Sequence, residues 1–232
     1  ELLQAEALSV RTREWTRQFL RELDVEICCL DSSVKFDEPR AKARATQKHQ
    51  GFEFIDRAAA MQIPLVRVFG DRIAEGTHRD KAVGWVSDGL SNLGQYAQDK
   101  GVTVVLETHG DFTDSGLVRA VMERIELPSV GVLWDTHHPW RFHGEAPADT
   151  VAALGRWIRH THWKDSVTTE DGYRYVKFGD GEFPAAEALA ALRSVNYDGW
   201  ACFEWEKQWH PELAEPEAVL PEFVPRMQEL LR

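Results

Sequence analysis

The stretch Val102-Thr-Val-Val-Leu-Glu107-Thr-His109 sets an apolar run directly against an acid and a histidine. Gly101 breaks the preceding helical pattern. A short continuous apolar run after such a break reads as a strand buried on both faces of a parallel sheet. Three stretches downstream repeat the arrangement: Val130-Gly-Val-Leu-Trp-Asp135-Thr-His137-His138, Trp157-Ile-Arg-His160-Thr-His162-Trp-Lys164-Asp165 and Trp200-Ala-Cys-Phe-Glu204-Trp-Glu206. The candidate donors step by 28 residues (107 to 135), 27 (135 to 162) and 42 (162 to 204). A crossover between parallel neighbours needs roughly thirty residues, so the four stretches read as successive strands of one sheet. The longest step has room for an inserted hairpin.

Upstream, residues 1–22 carry Leu2, Leu3, Leu8, Val10, Trp15, Phe19 and Leu20 among charges at roughly helical spacing. Val25–Leu30 reads as a strand with Asp31–Asp37 as its polar exit loop. Pro39–Met61 reads as a helix, Pro64–Gly70 as a strand holding Arg67, and Asp80–Lys100 as a helix. A charge inside that strand calls for an acidic partner. Downstream, Asp114–Ile125 and Thr150–Leu154 read as short helices and His137–Pro147 as a loop. Asp171-Gly172 between β-formers marks a hairpin turn. Ala185–Val195 and Pro216–Leu231 read as helices. With no low-complexity tract or linker, residues 1–232 read as a single domain.

Alternating strands and helices give an α/β fold with a parallel sheet. Functional residue types at the same end of many strands favour a (β/α)8 barrel over an open sheet, which concentrates its site at one switch point. Six main strands are visible, two fewer than a closed barrel needs.

The composition narrows the partners. A net charge of −11 argues against a nucleic-acid backbone as ligand. No apolar run approaches the ~18 residues of a membrane helix, and no secretory signal is read. Three cysteines (Cys28, Cys29, Cys202) make no disulfide framework and point to buried free thiols in a reducing cytoplasm.

Three carboxylates and an imidazole at one end of a sheet suit a hard or borderline divalent cation: Mn²⁺ or Mg²⁺ first, Zn²⁺ or Co²⁺ next. Glu107 and Asp135 follow apolar runs, where an unpaired charge is costly; a loop cap is the rival role for Glu107 and a helix N-cap for Asp135. Strand alternation puts His160 with His162, and Glu204 with Glu206, on shared faces. The residues alone leave each pair open.

These four motifs, in this order, resemble the strand ends of the xylose isomerase-like TIM-barrel superfamily, in its sugar phosphate isomerase/epimerase branch. The resemblance covers most of the chain and corresponds to a member lacking its first strand, first helix and second strand. It implies Glu107, Asp135, His162 and Glu204 as metal ligands. Glu107 and Glu204 then double as the acid/base pair, with His138 on the substrate. His109, Arg141 and Lys164 are further candidates for substrate contact, Arg141 and Lys164 being equally suited to pair with Asp165 or Glu145. Glu206, Lys207 and His210 are expected to pair with one another or with nearby loops, and Trp134 and Trp163 to stand where a sugar ring could stack. The implied activity is divalent-metal-dependent isomerisation or epimerisation of a small sugar, sugar phosphate or keto-polyol through an enediolate. A dehydratase or lyase on the same scaffold, or a non-catalytic metal- or sugar-binding remnant, is the alternative. An open flank of the sheet would be a surface for assembly into a homo-oligomer.

Overall fold

The computed structural model describes residues 10–232; Leu2, Leu3 and Leu8 of the expected first helix lie outside them. Backbone hydrogen bonds join six strands into one sheet: β1 (Cys29–Lys35), β2 (Leu65–Phe69), β3 (Thr103–Glu107), β4 (Val130–Asp135), β5 (Ile158–Trp163) and β8 (Ala201–Phe203), neighbouring in that order. All run parallel, as helical crossovers require. A separate antiparallel pair, β6 (Asp165–Thr169) with β7 (Gly172–Val176), is the expected hairpin. The chain packs as two compact units whose boundary falls inside β3 and β4: one holds the chain up to Leu106 with Val121–Gly131, the other Glu107–Ala120 with Val132–Arg232.

In the first unit, helices α1 (Val10–Glu22), α2 (Ala41–Met61) and α3 (Arg79–Ala97) accompany β1, β2 and most of β3. Strand β1 lies later than the sequence suggests, beginning at Cys29 and running through the expected loop. Ser32, Val34 and Phe36 alternate inward and are buried to 1% exposure or less. Ser32 reads as a loop residue, but its hydroxyl donates to the Arg67 carbonyl at 2.5 Å and so lies buried at no cost in lost hydrogen bonds. Arg67 has its acid, Asp31, at 3.9 Å and stacks over Phe69 at 4.1 Å. Gly89 lets α3 close on β1: a Cβ there would lie 2.5 Å from the Phe36 ring.

The second unit holds helices α4 (Ser115–Met122, ending across the boundary), α5 (His137–His143), α6 (Pro147–Leu154), α7 (Ala185–Ser194) and α8 (Pro216–Leu231) with the end of β4 and the whole of β5, β6, β7 and β8. Its core is aromatic: Trp163 meets Phe178 and Phe183 edge to face. Trp134 and Trp163 are both fully buried, so neither offers a face to a sugar. Helix α5 replaces the expected loop after Asp135. Among the described residues no helix is long and apolar enough to cross a membrane.

Candidate metal centre

Strands β4 and β5 pair in parallel with Asp135 beside His162, and β5 pairs with β8 with His162 beside Cys202. This register brings the strand ends level. One donor atom each from Glu107, Asp135, His162 and Glu204 lies within 4.8 Å of the others. Glu107, Asp135 and His162 are 1% exposed or less, whereas the Glu204 side chain keeps 29% exposure, so the cluster opens to solvent on that side. His162 Nδ1 stands 3.5 Å from Glu204 Oε1 and 3.8 Å from Glu107 Oε1.

Lys164, two residues beyond His162 and therefore on the same face, is the fifth member. Its Nζ lies 2.8 Å from Asp135 Oδ2, 2.6 Å from Glu204 Oε2 and 2.6 Å from Glu206 Oε1, with the side chain 2% exposed. Burial disfavours its charge, but the three carboxylates overcome this and hold its pKa well above the ordinary lysine range. Burial likewise pushes Glu204 upward, but Lys164 and His162 outweigh it and keep that carboxyl well below its usual range. For Asp135 burial prevails and the pKa is raised. Glu206 thus reaches inward to Lys164 instead of pairing with Lys207 and His210, which bind Glu215 and Glu212.

Asp135 divides its two oxygens. Oδ1 accepts the backbone N–H groups of His137 and His138, each at 3.0 Å, and so starts α5; Oδ2 faces Lys164. Thr136 is the N-cap residue, so the acid that holds the first N–H groups stands one position earlier than expected, and the same side chain has its place in the cluster. His138 Nδ1–H donates to the Thr108 carbonyl at 2.9 Å, which leaves Nε2 as the accepting nitrogen. Its ring stands edge-on to His109, with centroids 5.5 Å apart. Arg141 is held by Ser166 and Glu182 and lies over Trp140. Neither it nor Lys164 pairs with Asp165 or Glu145. Glu145 instead accepts the Ser115 N–H and the Thr150 hydroxyl.

Sequence reasoning passed over His137, whose Nε2 shares a 2.7 Å hydrogen bond with Ser166 among Trp140, Tyr173, Tyr175 and Phe183. Burial first, then the charges of His138, Lys164 and Arg141, press its pKa down to about 2.

The donor set fits a divalent cation. Three carboxylates (Asp135, Glu204, Glu206) share one ammonium, a fourth (Glu107) stands beside His162, and an ionised carboxylate has more lone pairs than Lys164 can occupy. The remaining negative charge, largely out of water, calls for a further cation.

The profile of the xylose isomerase-like TIM barrel family matches residues 3–223. The chain belongs to the xylose isomerase-like TIM barrel family. Its sheet is the (β/α)8 type, with six main strands among the described residues. A family relative, inosose dehydratase of Bacillus anthracis (strain CDC 684 / NRRL 3495), is 30% identical over 149 residues, 56% of this chain and 49% of that protein. The chain thus spans about half the length of the curated relatives it matches. Among solved structures of the same fold, a D-tagatose 3-epimerase-like protein superposes with a TM-score of 0.75 at 18% identity, over 99% of this chain and 88% of that one. The IOLI protein with a bound zinc atom superposes with a TM-score of 0.78 at 14% identity, over 90% and 77%.

Proposed function

We propose that the chain is a divalent-cation-dependent enzyme that moves a proton next to the carbonyl of a small polyhydroxylated ketone. The observation that carries this reading is the convergence of Glu107, Asp135, His162 and Glu204 within 4.8 Å, three of them buried. Those four residues would hold the ion. The chemistry a divalent cation supplies in such a place is stabilisation of negative charge on the substrate's oxygens.

The chain's own residues do the rest. Glu204 enters the reaction ionised, because Lys164 and His162 hold its pKa down, and on the exposed side of the cluster it takes the proton from the carbon. Glu107, also beside His162 Nδ1, is the partner carboxyl: it delivers to the carbon a proton taken from solvent, and Glu204 gives its own proton back to solvent. Lys164 fixes the Glu204 carboxylate, and its charge lowers the cost of a substrate anion beside it. His138, locked by the Thr108 carbonyl, offers Nε2 to a substrate hydroxyl. Proton return to carbon yields isomer or epimer. A second fate, loss of a hydroxyl β to the carbonyl, is favoured by the match to inosose dehydratase.

The test is proton exchange. Protein stripped by chelation and reloaded with Mn²⁺, Mg²⁺, Co²⁺ or Zn²⁺ is incubated in D₂O with a panel of ketohexoses and inososes and followed by NMR. Metal-dependent deuterium uptake is expected, and a product lacking one water identifies dehydration. An ion bound at the cluster with no exchange in any substrate would leave a binding protein and sink the enzymatic reading.

A further inference from the structure

Behind the carboxylates, β5 and β8 carry a second group of donors of different chemistry. His160 and His162 stand two residues apart on one strand and share a face, and Cys202 lies beside His162 in the parallel pairing. One ligand atom from each of the three lies within 4.8 Å of the other two. His160 is fully buried and meets His162 edge to face, with centroids 5.4 Å apart. Cys202 is a partly exposed thiol outside any disulfide, its Sγ 3.9 Å from the Phe203 carbonyl.

We propose that His160, His162 and Cys202 form a binding site for a thiophilic transition-metal ion, Zn²⁺ above all, distinct from the carboxylate set and sharing with it the imidazole of His162. Two imidazoles and a thiolate are a donor set that zinc accepts and that Mg²⁺ and Ca²⁺ leave aside. Three protein ligands leave a fourth tetrahedral position for water or a small ligand. All three donors stand on hydrogen-bonded neighbouring strands, so binding orders no loop and needs only small side-chain adjustments. The Cys202 thiol releases its proton to solvent as the ion binds, since thiolate is the ligand. Because His162 Nδ1 faces Glu107 and Glu204, an ion drawn to Cys202 competes for a ring that the carboxylate set also uses. Zinc therefore weakens the hold of the carboxylate set on a hard cation.

The site stands independently of the proposed activity, and Co²⁺ titration of the metal-free protein tests it. The wild type is expected to show a near-ultraviolet thiolate-to-cobalt charge-transfer band that Zn²⁺ abolishes by displacement. Cys202→Ser and Cys202→Ala both lose the band, His160→Gln weakens apparent binding at least about tenfold, and Glu107→Gln and Cys28→Ser retain it. No such band at saturating Co²⁺, or a band that survives both Cys202 variants, overturns the proposal. Glu107→Gln separates the two centres, because visible cobalt bands that it removes report the carboxylate set alone.

Discussion

Asp165 and Asp135 are buried carboxylates at strand ends of the same unit, and the chain compensates them in different ways. Asp165 accepts four backbone N–H groups, from Ser166, Gly179, Gly181 and Phe183, at 2.8 to 3.0 Å. Those donors belong to fixed peptide units, so the carboxylate ties the loop after the β6–β7 hairpin to the start of β6. The fit is tight: a Cβ on Gly181 would stand 2.0 Å from Asp165 Oδ1. At Asp135, by contrast, three carboxylates draw on one ammonium at 2.6 to 2.8 Å. Backbone donors saturate an acid and make it a fastener. A single mobile cation shared by several acids leaves charge over for another ion.

The largest expected effect lies on the unsaturated side. Glu204→Gln keeps size and fold but loses the proton acceptor, and steady-state turnover is expected to fall by roughly 10²- to 10⁴-fold while unfolding stays cooperative. Full turnover in that variant removes Glu204 from the mechanism. Lys164→Met takes away the ammonium that Asp135, Glu204 and Glu206 share. Urea unfolding of the metal-free variant should show a loss of about 3–5 kcal/mol, of which Mn²⁺ at about 100 times its Kd restores about 2.7 kcal/mol. If added metal restores nothing, the cluster is not a cation site.

On the saturated side, Asp165→Asn replaces an acceptor oxygen by an amide that cannot accept. Losing charged hydrogen bonds there should cost about 2–3 kcal/mol while cation affinity, read by calorimetry, stays at the wild-type level. A matching loss of affinity would erase the distinction between the two acids. The smallest effect concerns His137. Its folded pKa is pressed to about 2 from the ordinary 6.5, so above pH 6.5 the ring is neutral in both states and contributes no pH dependence. Below that, the unfolded chain binds a proton that the folded one refuses, and stability falls as pH falls, by about 1.4 kcal/mol per unit. Urea midpoints between pH 6.5 and 5 should therefore flatten in His137→Gln relative to wild type; equal slopes would count against a neutral, buried ring.

The strand ends were legible because burial on both faces leaves long apolar runs, and the acids that interrupt them stand out. Their crossover spacing then implies a parallel sheet. What escaped depends on partners far along the chain. Nothing local marks Lys164 as buried, since two of its acids lie 40 and 42 residues away. Strand β1 hid behind Ser32, whose burial rests on a carbonyl 35 residues on. Helix α5 reads as a loop because its start is set by the Asp135 side chain, which gives one oxygen to the first backbone N–H groups and turns the other to Lys164. Trp134 and Trp163 looked like sugar platforms because sequence shows their neighbours along the strand, not the packing that closes over them.

That division within Asp135 has a mechanical consequence. Turning the carboxylate toward a new occupant would pull Oδ1 off the first turn of α5, the helix that carries His138 and Arg141. The acid is therefore a pivot with one arm already fastened, and any occupant of the cluster would be met in the posture the helix dictates.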